Sequence, residues 1–211
     1  MKPFDPSLYL ITDRRFGGSS LVDSVARAVS GGVTLVQLRD KEASSQELVE
    51  LTRALLAILR PRNIPLLIND RVDIALMTGA DGVHLGLKDD SPRQAKARLG
   101  SDAIVGMSVE TDTDFASLSL RDVDYIAASP VFHTTTKKDI KTPFGLDGLR
   151  DLRRKCHLPL VAIGGVTEEN ADSVFAAGVD GIAVITAILG KEDERAAAFR
   201  LKQRGGLHAA R

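Results

Sequence analysis

The sequence predicts a single-domain α/β fold, a (β/α)8 TIM barrel in which eight parallel strands alternate with helices. Three features favour this fold: short apolar runs rich in Val, Ile and Leu, amphipathic helical patterns between them, and polar residues at the ends of the runs. Strands that are covered on both faces read as apolar runs, and alternation with helices indicates a parallel sheet. Polar run endings suit a barrel, because its active site lies at the carboxyl ends of its strands.

Eight segments are predicted to be strands. They are Leu8–Thr12, Thr34–Leu38, Pro65–Asn69, Gly82–Leu85, Ile104–Ser108, Tyr125–Ser129, Leu160–Gly164 and Gly181–Ile185. Eight strands in 211 residues favour closure into a barrel, with an open doubly wound sheet as the alternative. We expect the barrel domain to span residues 1–203 and residues 204–211, which hold two glycines, to form a frayed tail.

The patterns between the strands carry helix start and stop signals. A leucine stripe predicts a helix over Ser44–Arg60. Ser91 followed by Pro92 predicts the start of another helix, and the polar residues 167–170 predict a third. Residues 79–82 and 178–181 repeat a Gly-x-Asp-Gly pattern, which predicts a helix end and a turn into the next strand.

Composition limits the classes of partner. The 28 basic and 28 acidic residues cancel, so neither nucleic acid nor a membrane surface is an expected partner. No apolar stretch approaches the roughly 18–20 residues of a membrane span, and residues 1–7 lack the apolar core of a signal peptide. Cys156 is the only cysteine and is interpreted as an inert residue in a basic helical segment. A cytoplasmic location is the resulting expectation.

Cations follow two of the predicted strands. Arg39 and Lys41 alternate just after strand two, and Lys137 lies in a long loop over residues 133–144, a candidate lid. Three cations that meet at one barrel mouth suit a polyanion such as pyrophosphate, because arginine offers a planar fork and lysine a movable charge. The alternative is ordinary solvated surface charge.

Acidic residues end the third predicted strand and follow the fourth. Asp70 and Asp89 come from neighbouring loops and are candidate magnesium ligands, since Mg²⁺ usually takes one or two carboxylates plus phosphates and water. Asp90 could replace Asp89, and each acid could instead be a helix cap. His84 stands alone on its strand, so a histidine-rich metal site is not expected.

Phosphate groups are expected at the ends of the last two strands. Gly164 and Gly165 follow strand seven, and Ile185 and Thr186 follow strand eight, which is the usual phosphate site of such barrels. Glycine lets the backbone approach an anion. The alternative interpretation of the paired glycines is a tight turn.

Taken in order, these motifs resemble the thiamine phosphate synthase family. The resemblance extends from Tyr9 to Ile188 and rests on Gln37-Leu38-Arg39-Asp40-Lys41, Asn69-Asp70, residues 84–89, Ser108, Thr134-Thr135-Thr136-Lys137-Lys138, Ile163-Gly164-Gly165-Val166 and Val184-Ile185-Thr186. It implies a transferase that condenses hydroxymethylpyrimidine pyrophosphate with a thiazole phosphate to give thiamine phosphate and pyrophosphate. A homodimer, which is common in the family, is an expectation for its partners.

The resemblance also implies residue roles. The pyrimidine pyrophosphate would be held by Gln37, Leu38, Arg39, Asp40, Lys41, Asn69, Ser108 and Lys137, and the thiazole phosphate by Thr134, Thr135, Thr136, Gly165, Ile185 and Thr186. Asp70 and Asp89 would bind magnesium, the expected cofactor. Arg39, Lys41, Ser108 and Lys137 would be the catalytic residues. Leu87, Ser129, His133 and Thr186 depart from the family pattern without removing a ligand.

Two other functions remain as alternatives. One is a thiazole tautomerase of the same fold, which would carry a catalytic histidine where this chain has Pro130 and would not need the cations or paired aspartates. The other is a phosphate-binding barrel without activity. His133, close to Pro130, keeps the tautomerase in consideration.

Overall fold

The computed structural model describes residues 3–17, 20–134 and 142–206, and it shows a closed barrel of eight parallel strands in sequence order. Each predicted strand is confirmed, with its ends within one residue of the observed ones. The strands are β1 Leu8–Ile11, β2 Leu35–Leu38, β3 Leu66–Asn69, β4 Gly82–Leu85, β5 Ile104–Val109, β6 Tyr125–Ala128, β7 Leu160–Ile163 and β8 Gly181–Val184. Pairing of β1 with β8 closes the barrel, so the open sheet is excluded.

A helix follows each strand and covers the outside of the barrel. The helices are α1 Leu21–Ser30, α2 Ser45–Leu59, α3 Val72–Thr78, α4 Pro92–Leu99, α5 Asp112–Ser117, α6 Gly145–Lys155, α7 Ala171–Ala176 and α8 Glu194–Gly206, with 3-10 turns at Arg60–Arg62 and Leu120–Asp122. Helix α7 starts at Ala171, later than predicted, because Thr167 donates its N–H to Asn170 Oδ1 in a preceding turn.

Two helices begin where the sequence signals place them. Ser44 accepts the N–H of Glu47, and the Glu47 side chain accepts the N–H of Ser44, which is a complete capping box. Ser91 and Gln94 form the same box on α4. Loss of such a cap costs about 1 kcal/mol, so both caps fix the loops that precede them. The loop before α4 carries Asp89, which places that carboxylate.

Side chains of the strands alternate between two cores. The inward set packs inside the barrel and comprises Tyr9, Ile11, Leu35, Leu67, Ile104, Tyr125, Ala127, Val161, Ile163 and Ala183. The outward set, which includes Leu10, Val36, Leu38 and Ile68, packs under the helices. This alternation decides which strand residues can reach a ligand at the barrel mouth.

The repeated Gly-x-Asp-Gly segments lie at the amino-terminal face, opposite the predicted site. Asp81 accepts the N–H of Leu66 at 2.9 Å, and Asp180 accepts that of Leu160 at 2.7 Å, so each acid holds the start of a neighbouring strand. Gly79 has a positive φ of 68° at the end of α3, a conformation that suits glycine. These segments are structural, as predicted.

The structure also bears on three smaller expectations. Helix α8 continues to Gly206, so Arg204 to Gly206 are helical and the predicted tail starts too early; residues 207–211 lie outside the described residues.

Cys156 directly follows α6 and is buried, and burial raises the pKa of its thiol, as expected of an inert cysteine. Within the described ranges, no helix has the length and apolar character to cross a membrane.

Candidate active site

The end of β2 carries the predicted cations, and β1 holds it in place. Thr12 Oγ1 accepts the N–H of Arg39 at 3.0 Å and donates to its carbonyl at 3.3 Å. Gln37 points into the barrel, whereas Leu38 packs in the outer core. Leu38 was predicted to hold substrate. Because its side chain faces the outer core, only its backbone could contact a ligand at the barrel mouth.

Asp40 lies at the rim, but its carboxylate is occupied by the protein. Oδ1 accepts the N–H groups of Glu42 and Ala43, both at 3.1 Å, and Oδ2 accepts Arg14 Nε at 2.5 Å. The Asp40 side chain is only 4% exposed. We therefore expect Asp40 to position the flanking cations Arg39 and Lys41, in place of the substrate contact that the family resemblance implies.

The two predicted metal ligands come together. The side chains of Asp70 and Asp89 lie within hydrogen-bond contact of each other. The pKa of Asp70 is raised, mainly by burial and next by the negative charge of Asp89. Lys41 Nζ lies 3.8 Å from Asp70 Oδ2 and partly offsets the repulsion, as does a hydrogen bond from Asn69. Two carboxylates held this close in a partly buried site are an arrangement that a divalent cation would stabilise.

Backbone geometry fixes both acids. Asp70 has a positive φ of 60°, which is uncommon outside glycine and concentrates at functional sites. Asp89 Oδ2 accepts the N–H of Gly86 at 2.7 Å, so this backbone group supports the acid although Leu87 departs from the family pattern. Asp90 instead accepts Arg98 Nη1 at 3.1 Å, which favours Asp89 over Asp90 as the partner of Asp70. Among the described residues, no group of three or more metal-ligating side chains occurs.

Gly165 allows two rim loops to approach each other. It has a φ of 69°, and a Cβ there would lie 2.7 Å from the carbonyl oxygen of His133 and 2.8 Å from Phe132 Cβ. Asn170 Nδ2 donates to the Gly165 carbonyl at 2.9 Å and fixes the loop that carries this glycine. Any side chain at this position would collide with the backbone of the β6–α6 loop.

Strand β8 continues into a single helical turn. The carbonyl of Ile185 accepts the N–H groups of Ile188 and Leu189, which turns the chain just after the strand. Within the part of the chain that the structure describes, the N–H groups of Thr186 and Gly165 have no backbone acceptor. Backbone N–H groups of this kind can bind a phosphate oxygen.

Four residues that are predicted to bind substrate lie in the β6–α6 loop. Thr134 is half-buried beside the Gly165 loop and already has an interaction partner. Thr135, Thr136 and Lys137 lie outside the described residues, as do Lys138 and Lys141 of the predicted lid.

A cavity of about 780 Å³ opens beside the aspartate pair, between the β4–α4 loop and the segment around α5. Gly86, Leu87 and Asp89 line one side, and Leu118 and Arg121 line the other. Among the described site residues, Asp89 is the one that lines this cavity.

The partners of His84 were missed from the sequence. Its ring contacts Ser108 and Tyr125 at 2.8 Å each, inside the barrel. Arg14 was also missed as the partner of Asp40. Inward-facing polar residues on alternate positions of apolar strands were the available signal for His84.

A family model described as thiamine monophosphate synthase matches residues 8–188. The chain belongs to this family. A thiamine-phosphate synthase of Azorhizobium caulinodans is 49% identical over 201 residues, which cover 95% of each chain. One of Albidiferax ferrireducens is 48% identical over 197 residues, covering 93% of this chain and 90% of that protein.

A solved structure agrees with the sequence relatives. Thiamine phosphate pyrophosphorylase from Pyrococcus furiosus is 37% identical, matches with a TM-score of 0.87, and the match covers 96% of each chain. These comparisons confirm the family resemblance and the barrel fold. They also confirm the prediction that the chain is an enzyme of the transferase class. Membership of the thiamine monophosphate synthase family therefore guides the interpretation of the polar residues at the rim.

We predict that Asp70→Asn raises the free energy of unfolding of the ligand-free protein at pH 7. The folded-state pKa of Asp70 lies above its ordinary value of 3.8, so its ionised form disfavours the folded state above that value. The gain should disappear as the pH falls towards 3, where Asp70 is protonated in both states. Urea unfolding at pH 7 and pH 3 measures both effects.

The matched control is Asp73→Asn, on the next helix. Arg71 lowers the pKa of Asp73, so loss of this carboxylate should reduce stability at pH 7. A loss of stability in Asp70→Asn at pH 7 would contradict the repulsion between Asp70 and Asp89.

Proposed function

We propose that this chain condenses 4-amino-2-methyl-5-hydroxymethylpyrimidine pyrophosphate with a thiazole ethyl phosphate, carboxylated or not, to give thiamine phosphate and pyrophosphate. The observation that carries the proposal is the meeting of Lys41, Asp70 and Asp89 on one rim. Family membership and relatives named thiamine-phosphate synthase support the same reaction. Within the described residues, the N–H groups of Gly165 and Thr186 have no backbone acceptor, so they offer a second anion position on that rim.

The reaction needs positioning and charge more than a protein nucleophile. The thiazole nitrogen forms the new bond to the pyrimidine methylene, and the bond from that methylene to pyrophosphate breaks. Negative charge grows on the leaving group, and we assign Arg39, Lys41 and Lys137 to oppose it. Gly165, Ile185 and Thr186, with Thr134 to Thr136, would hold the thiazole phosphate so that its ring nitrogen faces the methylene.

Asp70 and Asp89 are the residues that we assign to a magnesium ion. Their paired carboxylates fit a hard divalent cation, whose remaining ligands are usually phosphate oxygens and water. When bound, such an ion would neutralise charge on the departing pyrophosphate. Asn69 would support the pair through its hydrogen bond to Asp70.

The direct test mixes both substrates with the purified protein and follows thiamine phosphate and pyrophosphate together. We expect both products with Mg²⁺ present, no turnover in excess chelator, and recovery when Mg²⁺ is restored. Isomerised thiazole phosphate without pyrophosphate would indicate a tautomerase, and no reaction would indicate a binding protein. Full activity in chelator would contradict the assignment of Asp70 and Asp89.

Asp40→Ala tests the positioning of the cations. We predict that kcat/KM for the pyrimidine pyrophosphate falls about tenfold, the scale expected when a charged hydrogen-bond anchor is lost. The KM for the thiazole phosphate should change little, because Asp40 serves the β2–α2 loop. Steady-state kinetics with each substrate varied in turn separates these effects.

Two variants serve as controls for Asp40. Asp40→Asn keeps an oxygen that can accept the loop N–H groups and should retain more activity than Asp40→Ala. Asp147 is an almost fully exposed acid on α6, and Asp147→Ala should leave the kinetics unchanged. A defect in Asp40→Ala that falls mainly on the thiazole phosphate would contradict the role.

A further inference from the structure

Five polar side chains form one hydrogen-bonded chain through the barrel interior. Gln37 Nε2 donates to the Tyr9 hydroxyl at 2.5 Å, and the hydroxyls of Tyr9 and Tyr125 lie 2.9 Å apart. The Tyr125 hydroxyl is 2.8 Å from His84 Nδ1, and His84 Nε2 is 2.8 Å from Ser108 Oγ. Gln37, His84 and both tyrosines are buried, so the chain links β2, β1, β6, β4 and β5 away from solvent.

Packing holds this chain in one geometry. The rings of His84 and Tyr125 stack with centroids 5.6 Å apart, and Tyr9 meets Tyr125 edge-on at 5.9 Å. Gly106 leaves the space that Tyr125 occupies, because a Cβ there would lie 2.3 Å from the Tyr125 hydroxyl oxygen. The course of this series of hydrogen bonds is therefore determined by the backbone at Gly106 as well as by the side chains.

The first donor sets the direction of every later hydrogen bond. Because Gln37 donates to Tyr9, the Tyr9 hydrogen is directed to Tyr125 and the Tyr125 hydrogen to His84 Nδ1. His84 must then carry its proton on Nε2 and donate to Ser108 Oγ. With Gln37 Nε2 at Tyr9, the opposite direction would leave a buried phenol hydrogen facing the Gln37 N–H, whereas an amide turned by 180° would present Oε1 and reverse every bond.

Both phenols keep their protons over the working pH range. Burial raises the pKa of Tyr9 and of Tyr125 well above the ordinary value for tyrosine, and each phenol has a hydroxyl partner. Neither phenol therefore reverses its hydrogen bond by ionisation.

We propose that Tyr9, Tyr125 and His84 are positioning residues that fix Ser108 as a hydrogen-bond donor and thereby select a pyrimidine with an acceptor nitrogen. The inference rests on the proposed function, since it concerns the pyrimidine substrate. Ser108 Oγ already accepts from His84, so its own hydrogen is left for a ligand. Ser108 is half-buried on β5, beside the aromatic stack and three strands away from the cations of β2.

The selected chemistry is the aminopyrimidine ring. Both ring nitrogens of a 4-aminopyrimidine are acceptors, whereas the 4-oxo form carries a hydrogen on the nitrogen beside the oxygen. Against a fixed Ser108 donor, the 4-oxo ring would place two hydrogens face to face. A site built around a defined hydrogen bond rejects a ligand that cannot make it far more strongly than it rejects a change in size.

The first test needs no substrate and is independent of the proposed function. Nitrogen-15 NMR of the ligand-free protein at pH 8 distinguishes the two tautomers of His84, and His84→Asn assigns its signal among the four histidines. We expect the proton on Nε2. A proton on Nδ1 would overturn the proposal, because Ser108 would then be the donor to His84.

The second test compares the 4-amino and 4-oxo pyrimidine pyrophosphates in the wild type and in Tyr125→Phe. We expect the ratio of their kcat/KM values to fall at least tenfold in the variant, because His84 loses the donor that fixes its tautomer. Thr52→Val is the matched control, since it removes a buried hydroxyl that bonds a helix carbonyl elsewhere, and its ratio should match the wild type.

The outcomes separate the two proposals. No thiamine phosphate from the wild type would refute the proposed function while leaving the tautomer result valid. An active wild type whose selectivity ratio is unchanged in folded Tyr125→Phe would refute the positioning role alone. Circular dichroism confirms folding, and if Tyr125→Phe does not fold, the wild-type tautomer decides.

Discussion

Closure of eight parallel strands is the constraint on which the other features depend. A parallel barrel brings the carboxyl ends of all its strands to one rim, whatever their separation along the chain. Lys41, Asp70 and Asp89 come from three different loops and meet there. The same closure brings Tyr9 and His84 to Tyr125 in the interior. Hydrogen bonds at the other face, such as Asp81 to Leu66, stabilise the scaffold.

Much of this arrangement was predictable from the sequence. Buried parallel strands are continuous apolar runs, so all eight were predicted to within one residue. Polar residues directly after those runs lie at the rim, because strand ends point to one face. That rule placed Asp70 and Arg39 correctly without any knowledge of their contacts. Helix starts such as Ser91 carried recognisable capping signals.

The remaining features depend on contacts that a linear pattern does not contain. Asp40 follows a strand like its neighbours, yet Arg14 from another loop and the N–H groups of Glu42 and Ala43 occupy its carboxylate. His84 has no polar neighbour in sequence, and its partners Ser108 and Tyr125 lie 24 and 41 residues away. The choice between Asp89 and Asp90 likewise required Arg98, which pairs with Asp90. Each of these outcomes is set by side-chain direction.

The most direct measurement of the rim assignment is metal binding by electron paramagnetic resonance, with Mn²⁺ as the probe and pyrophosphate present. We expect one bound Mn²⁺ per chain in the wild type, weakened binding in Asp70→Asn and in Asp89→Asn, and unchanged binding in Asp90→Asn. Equal binding in all four proteins, or loss confined to Asp90→Asn, would contradict a cation site built from Asp70 and Asp89.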